Sequence, residues 1–284
     1  MEPLNGEEIE RAVAAALAED VGDGDVTTLA TVPAELTARA VLVAREALVV
    51  CGLPFAAAAF RQCSPAIRFM PRAAEGAAVT RGTVLAEIAG PARGLLTGER
   101  VALNFVQRLS GVATLTGRYV AAVAGTRARI LDTRKTTPGW RRFEKHAVAT
   151  GGGCNHRIGL FDLVLIKDNH LAALRDAAPN AIAAAVERAR QQYPQLRVEV
   201  EADTLAQVAQ AVAAGADIIL LDNMALPDLR AAVALVAGRA ETEASGGVNL
   251  DTVRAIAETG VDFISVGALT HSARAVDVAL DFAD

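Results

Sequence analysis

The sequence predicts an α/β fold, a parallel sheet covered by helices and arranged as a barrel. Three observations carry this. After Gly111, near-continuous apolar runs alternate with alanine-rich helical stretches, the rhythm of βα units around a buried parallel sheet. Two helix-to-strand boundaries repeat, Ala214-Gly215-Ala216-Asp217 and Thr259-Gly260-Val261-Asp262, with glycine where a helix ends left-handed. Polar residues gather at the C-terminal edge of every strand run, as active sites do on the matching face of α/β barrels. An open doubly wound sheet would concentrate them at one switch point, commonly behind GxGxxG, and that motif is absent. Six strand runs are legible, not eight, so closure of the barrel stays open on these grounds.

Taken in order, residues 5–20 carry Ile9, Val13, Ala16 and Leu17 at helical spacing. The Gly/Asp run 19–25 ends that helix. Strands are expected at Ala38–Ala44, Ala47–Cys51 and Ile67–Met70, with a helix over Leu53–Arg61. Glu75–Gly90 has the glycine spacing of a biotinyl or lipoyl carrier module but no lysine to modify, so only a small β element is expected there. Thr97–Ser110 is an amphipathic helix with Val101, Phe105 and Leu109 on one face. The later strands are Arg129–Thr133, Leu163–Asp168, Arg197–Ala202, Ile218–Asn223, Glu241–Ser245 and Phe263–Ala268. The intervening helices are Ala113–Ala124, Leu171–Gln192, Thr204–Ala214, Leu226–Ala237 and Leu250–Thr259.

The chain of 284 residues can bury one large core or two smaller ones, and its 52% hydrophobic and 21% charged content is that of a globular protein. Cys51, Cys63 and Cys154 have no metal-type spacing, and their odd number argues against a disulfide framework and for a reducing compartment. The four histidines show no HExxH or other ligand pattern. No membrane span is expected, because the longest candidate, Ala12–Ala18, is short and flanked by charges. No signal peptide is read at the N-terminus.

Charge is distributed unevenly. Arg129–His170 holds eight lysines and arginines against four acids, a net of +4, so the remainder of this −5 chain sums to −9. A basic island in an acidic protein points to an anionic small molecule. Nucleic acid is disfavoured, since aromatics make up only 4%. Arg141, Arg142 and Lys145 are expected on a solvated helix face. Lys167 ends an apolar run, and Glu199 is its expected buried partner. Ser245-Gly246-Gly247 and Gly267-Ala268 follow the last two strands, where barrels often seat a phosphate on glycine backbone and helix N-termini. Glu201 and Asp222 end neighbouring strand units and suit Mg²⁺ or sugar hydroxyls.

Nine blocks then carry a resemblance. They are EDVGDGDVTT (19–28), ERVALNFVQRLSGVAT (99–114), DTRKTTPG (132–139), GGGCNHRIGL (151–160), LIKDNH (165–170), VEVEADTL (198–205), LLDN (220–223), EASGGV (243–248) and VGALTHS (266–272). In order and over nearly the full chain, they resemble the quinolinate phosphoribosyltransferase family. Trp140 and His146 depart from its pattern, where a Leu-like and a Tyr-like residue are expected.

The resemblance implies an incomplete, seven-stranded α/β barrel at 112–272. An N-terminal α/β sandwich domain at 1–111 precedes it, with the tail at about 273–284 returning to the sandwich. It implies phosphoribosyl transfer from phosphoribosyl pyrophosphate to quinolinate with decarboxylation, giving nicotinate mononucleotide, pyrophosphate and CO₂ in NAD biosynthesis, with Mg²⁺ as the metal. Lys135, Lys167, Glu201 and Asp222 are the implied catalytic residues, with Glu201 and Asp222 holding the metal directly or through water. Thr133, Arg134, Lys135, His156, Arg157 and Lys167 are implied to bind substrate. Ser245, Gly246, Gly247, Val266, Gly267 and Ala268 are implied to form the phosphate loops. A homodimer or higher oligomer is implied, in which Arg100 enters the neighbouring site. A cytoplasmic setting is expected. The alternatives are a related phosphoribosyltransferase for another carboxylated ring, an aldolase-like barrel using Lys167 as a Schiff base, and a non-catalytic anion-binding protein.

Overall fold

The computed structural model describes residues 3–283, and side chains to residue 282; Met1, Glu2 and Asp284 of the expected domain ranges lie outside it. Two compact units divide the described residues. One draws on Met1–Gly117, Arg142–Gly152 and Ser272–Asp284, the other on Arg118–Arg141 and Gly153–His271.

The first unit opens with α1 (Gly6–Val21), started by a capping box in which Asn5 and Glu8 exchange side-chain-to-backbone bonds. Asp25 caps a short α2 (Val26–Thr31) through the Thr28 amide. An antiparallel sheet follows, built from β1 (Thr37–Ala44), β3 (Arg68–Pro71) and β5 (Val84–Pro91), with β2 (Leu48–Val49) and β4 (Ala78–Val79) as a separate two-stranded ladder. The helix α3 (Leu53–Cys63) packs against α1, and buries Phe55 and Phe60.

The helix α4 (Ala92–Ala122) merges two expected helices and runs through Gly111, so no chain break marks the expected domain boundary there. The cause is non-local. A side chain at Gly111 would collide with the Arg274 carbonyl, so glycine there serves packing rather than termination. A second correction concerns α5 (Arg141–Thr150), whose residues from Arg142 onward join the first unit. Its basic face is not solvated: Lys145 and Glu144 are fully buried, Glu144 accepts from Arg108 Nη2 at 2.6 Å, and Arg142 pairs with Glu8 at 2.9 Å.

In the second unit, β6 (Arg129–Leu131), β7 (Val164–Ile166), β8 (Val198–Ala202), β9 (Ile218–Asp222), β10 (Glu241–Ser245) and β11 (Phe263–Ser265) form one parallel sheet in the order β6-β11-β10-β9-β8-β7. The first strand thus pairs with the last, as a barrel requires. Cys154 adds a single parallel bridge to Leu131, one position beyond β6. No ladder among the described residues joins that bridge to β7, so the ring is incomplete. The strand interiors are nearly all buried (Val198, Val200, Ile219, Leu221, Ala244, Ile264).

The expected helix 171–192 is two, α6 (Asp168–Ala173) and α7 (Ala181–Gln192), with Pro179 between them and Asn180 capping the second. The outer layer continues with α8 (Leu205–Ala213), α9 (Leu226–Val236), α10 (Val253–Ala257) and α11 (Ala268–His271). The tail strand β12 (Val278–Ala283) pairs antiparallel with β1 in the first unit's sheet.

Candidate active site

The C-terminal ends of the parallel strands surround a cavity of about 590 Å³. After β6, Asp132 is fully buried and accepts from the His156 amide at 2.8 Å and from Asn155 Nδ2 at 2.7 Å. It thereby fixes the loop that carries His156 and Arg157. Thr133, Arg134 and Lys135 follow on the cavity wall. The Lys135 carbonyl accepts from Thr270 Oγ1 at 2.7 Å, joining this loop to the one after β11. Arg134 Nε is buried, with no hydrogen-bond partner among the described residues. Burial and the charge of Arg134 lower the pKa of Arg157.

His156 faces two buried carboxylates. Its Nδ1 accepts from the Arg157 amide at 2.7 Å, which places the ring proton on Nε2. Nε2 lies 3.1 Å from Glu199 and 3.5 Å from Glu243, both buried. The four carboxylate oxygens lack a hydrogen bond of good geometry, so these contacts are electrostatic. Burial, then repulsion by Glu199, pushes the Glu243 carboxyl up to about 8. Two buried acids this close do not both ionise.

Glu199 was the expected partner of Lys167; the structure gives that role to Glu201, whose Oε2 accepts from Lys167 Nζ at 2.6 Å. Strand register explains the correction. Leu165 is level with Glu199 and Ile166 with Val200, so Lys167, one residue on, is level with Glu201. Lys167 is also 45% exposed, unlike the desolvated lysine that Schiff-base chemistry needs.

Asp222 ends β9 and lines the same cavity. Burial raises its pKa, opposed by a 2.7 Å bond from Asn223 Nδ2 and reinforced by Glu201 and Asp203. Asn223 holds a left-handed backbone, φ 52°, with its amide bonded to the Ser245 carbonyl. Gly246, φ 95°, is glycine for two reasons: the backbone is left-handed, and a Cβ would strike the Asn223 side chain. Helix α10 starts only at Val253 and has five residues, and α11 has four. A long helix dipole near Asn249 is therefore absent, and amides of the glycine loop are left as the anion donors.

Eleven expected site residues meet at this cavity: those from Thr133 to Lys135, His156, Arg157, Lys167, Glu201, Asp222 and Ser245–Gly247. Val266 is buried behind it, and Gly267 supports the Lys135 side chain, its would-be Cβ 3.0 Å from Lys135 Cδ. Val266, Gly267 and Ala268 do not line it. Arg100 is exposed on α4 in the first unit. Glu243, Asn223 and Ser265 line the cavity without having been expected as site residues.

Models of the quinolinate phosphoribosyl transferase N-terminal and C-terminal domains match residues 25–110 and 112–281. The chain belongs to the quinolinate phosphoribosyltransferase family. It is 47% identical over 256 residues to a probable nicotinate-nucleotide pyrophosphorylase [carboxylating] of Synechocystis, covering 89% of this chain and 85% of the relative. It is 43% identical over 272 residues to the nicotinate-nucleotide pyrophosphorylase [carboxylating] of Mycobacterium leprae, covering 94% of each. Among solved structures, the nicotinate-nucleotide pyrophosphorylase of Francisella tularensis superposes with a TM-score of 0.93 at 39% identity, over 99% of this chain and 98% of that one. In this quinolinate phosphoribosyltransferase family member, the junction between the two matched domains falls inside the continuous helix α4.

Proposed function

We propose that the chain transfers a phosphoribosyl group from phosphoribosyl pyrophosphate to quinolinate and decarboxylates the product to nicotinate mononucleotide. Family membership supports the reaction class. The observation that carries the substrate is Arg134: a buried guanidinium nitrogen with no partner, lining a cavity beside Lys135 and Arg157. Leaving such a donor unsatisfied is costly, and a ring carboxylate would satisfy it.

Charge divides the cavity. Arg134, Lys135 and Arg157 serve the carboxylates of the ring. Asp222, oriented by Asn223, and Glu201, held by Lys167, serve the ribose. Pyrophosphate leaves the ribose with its bonding electron pair, and positive charge develops at the ribose carbon, where two carboxylates stabilise it. The ring nitrogen bonds to that carbon and becomes cationic. The adjacent carboxylate then departs as CO₂, its electron pair remains on the ring carbon beside the positive nitrogen, and that carbon takes up a proton. The glycine amides at 246 and 247 suit phosphate oxygens.

Mg²⁺ fits Asp222 better than Glu201. Burial, with lesser repulsion from Glu201 and Asp203, raises the Asp222 carboxyl, and a cation there would offset both, whereas Glu201 already has Lys167. When bound, the ion neutralises charge on the pyrophosphate. A dimer in which Arg100, exposed on α4, reaches the neighbouring site completes the proposal. No helix among the described residues is long and apolar enough to cross a membrane, and the free cysteines suit a cytoplasmic setting.

The test is a substrate panel read by pyrophosphate release and CO₂ evolution. Quinolinate should react far better than nicotinate, because an analogue lacking one carboxylate leaves a buried cation unpaired. Equal turnover of the two acids removes quinolinate as the substrate.

A further inference from the structure

The first unit holds a second cluster of reactive side chains that phosphoribosyl transfer does not use. Cys51, Glu75 and His146 stand 24 and 71 residues apart in sequence, so no ligand spacing shows there. In the fold, the Cys51 sulfur, a Glu75 carboxylate oxygen and a His146 ring nitrogen all lie within 4.8 Å of one another. The geometry points to a site for one divalent transition-metal ion of the Zn²⁺ class, with Cys51, His146 and Glu75 as its protein ligands.

Each ligand stands on a segment that is already fixed. The Cys51 amide donates to Ser110 Oγ, which donates in turn to the Cys51 carbonyl, both at 2.9 Å. The Gly76 amide donates to the Val50 carbonyl at 2.8 Å, tying the turn after Glu75 to the Cys51 segment. His146 lies in the middle of α5. The Glu75 carboxylate caps α3, accepting from the Gly52 and Leu53 amides, and a carboxylate with about four lone-pair positions keeps capacity for a cation. A site held this way loses little entropy on binding.

The donor set selects the metal. Thiolate plus imidazole plus one carboxylate suits Zn²⁺ or Co²⁺ and excludes Mg²⁺, which takes oxygen ligands. Burial lowers the His146 pKa, so its ring is neutral and able to ligate. Burial, then Glu75, pushes the Cys51 thiol up; it is neutral without metal and gives its proton to solvent as the metal–sulfur bond forms. Arg142 and Thr150 also face the cluster. A tyrosine at position 146 would replace the ring nitrogen with a phenol and remove that ligand. The ion would clasp three distant segments of the first unit. The second His-and-carboxylate cluster, His156 with Glu199 and Glu243, has no sulfur, and spectroscopy therefore separates the two.

The experiment titrates the full-length protein, stripped with chelator, with Co²⁺. A near-ultraviolet thiolate-to-cobalt charge-transfer band should rise and saturate at one equivalent. Cys51→Ser should abolish it, while Cys63→Ser and Cys154→Ser retain it. His146→Tyr should weaken binding at least about 10-fold, since even outer partners of metal ligands typically contribute that much. Zn²⁺ should raise the thermal midpoint of the parent more than that of His146→Tyr at the same concentration, circular dichroism showing both folded. No charge-transfer band in the parent, or a band that survives Cys51→Ser, overturns the proposal.

Discussion

Lys167 Nζ donates to Glu201 Oε2 across 2.6 Å, joining the end of β7 to the end of β8 at the rim of the cavity. The Glu201 side chain is 11% exposed and Lys167 45%, so the pair sits at a boundary between solvent and a partly buried carboxylate. Its value to folding is small for that reason. In the proposed reaction its value lies in fixing the position of the Glu201 carboxylate on the cavity wall.

Lys167→Met should therefore cut turnover strongly while changing stability little. Releasing Glu201 lets a catalytic carboxylate drift, and a misplacement of about 1 Å can cost roughly 100-fold in rate. Lys167→Arg, which keeps the charge, should recover part of it. Steady-state kinetics with urea denaturation beside them checks both halves. Normal turnover in Lys167→Met would remove the pair from the mechanism.

Glu243 makes stability depend on pH. Its carboxyl is raised from 4.5 to about 8, so the folded chain keeps a proton over an interval in which the unfolded chain has already lost one. Folding takes up a proton there, and stability falls as pH climbs through that interval and levels off above it. Glu199, His156, Ser265 and Lys167 are the groups around it. Glu243→Gln should flatten this slope and gain on the parent as pH rises. Urea midpoints at about pH 6 and about pH 9 measure it; parallel slopes in parent and variant would contradict the raised carboxyl.

Much of the site was legible because strand ends in a parallel barrel project into one place: Glu201, Asp222 and Ser245 stand at or next to the ends of runs that read as strands, and Lys135 follows such a run by two residues. What the sequence hid was non-local. The partner of Lys167 depends on inter-strand register, which no single strand carries. Glu243 shares a strand face with Glu241 and Ser245 on β10, and an acid two residues before Ser245 was the available signal. The break between α6 and α7 was written in Pro179. The passage of α4 through Gly111 was not, since its cause is the backbone of Arg274. Likewise Lys145 reads as surface because its burial depends on packing that its own helix does not encode.

Gly246 and Gly247 look alike in sequence and should respond differently. Gly246→Ala places a Cβ against Asn223 at φ 95°, whereas Gly247, φ 60°, has open space around it. Displacing Asn223 releases Asp222, and misplacing a catalytic group by about 1 Å can cost roughly 100-fold. Gly246→Ala should thus raise KM for phosphoribosyl pyrophosphate and lower kcat, while Gly247→Ala costs much less. Equal effects would mean that Asn223 does not position Asp222.

Arg100 tests the proposed composite site. Mixing Arg100→Ala subunits with Lys135→Ala subunits should restore activity, because each heterodimer regains one intact site. Native mass spectrometry would establish that heterodimers form. Their formation without any rescue would place Arg100 in its own chain's site or outside catalysis.

The two ends of the cavity should separate by ligand. Asp222→Ala removes a carboxylate that suits hydroxyls and metal, so phosphoribosyl pyrophosphate binding should suffer. Arg157→Ala removes a guanidinium that suits ring carboxylates, so quinolinate binding should suffer by about 30-fold or more. Arg157 is already crowded by Arg134 and partly desolvated, and an anion between the two relieves that repulsion. Calorimetric titration of each variant with each ligand decides the partition. If Arg157→Ala bound quinolinate normally and lost phosphoribosyl pyrophosphate, Arg157 would belong with Gly246 and Gly247 at the phosphate end. Arg134 and Lys135 would then be left to hold the ring.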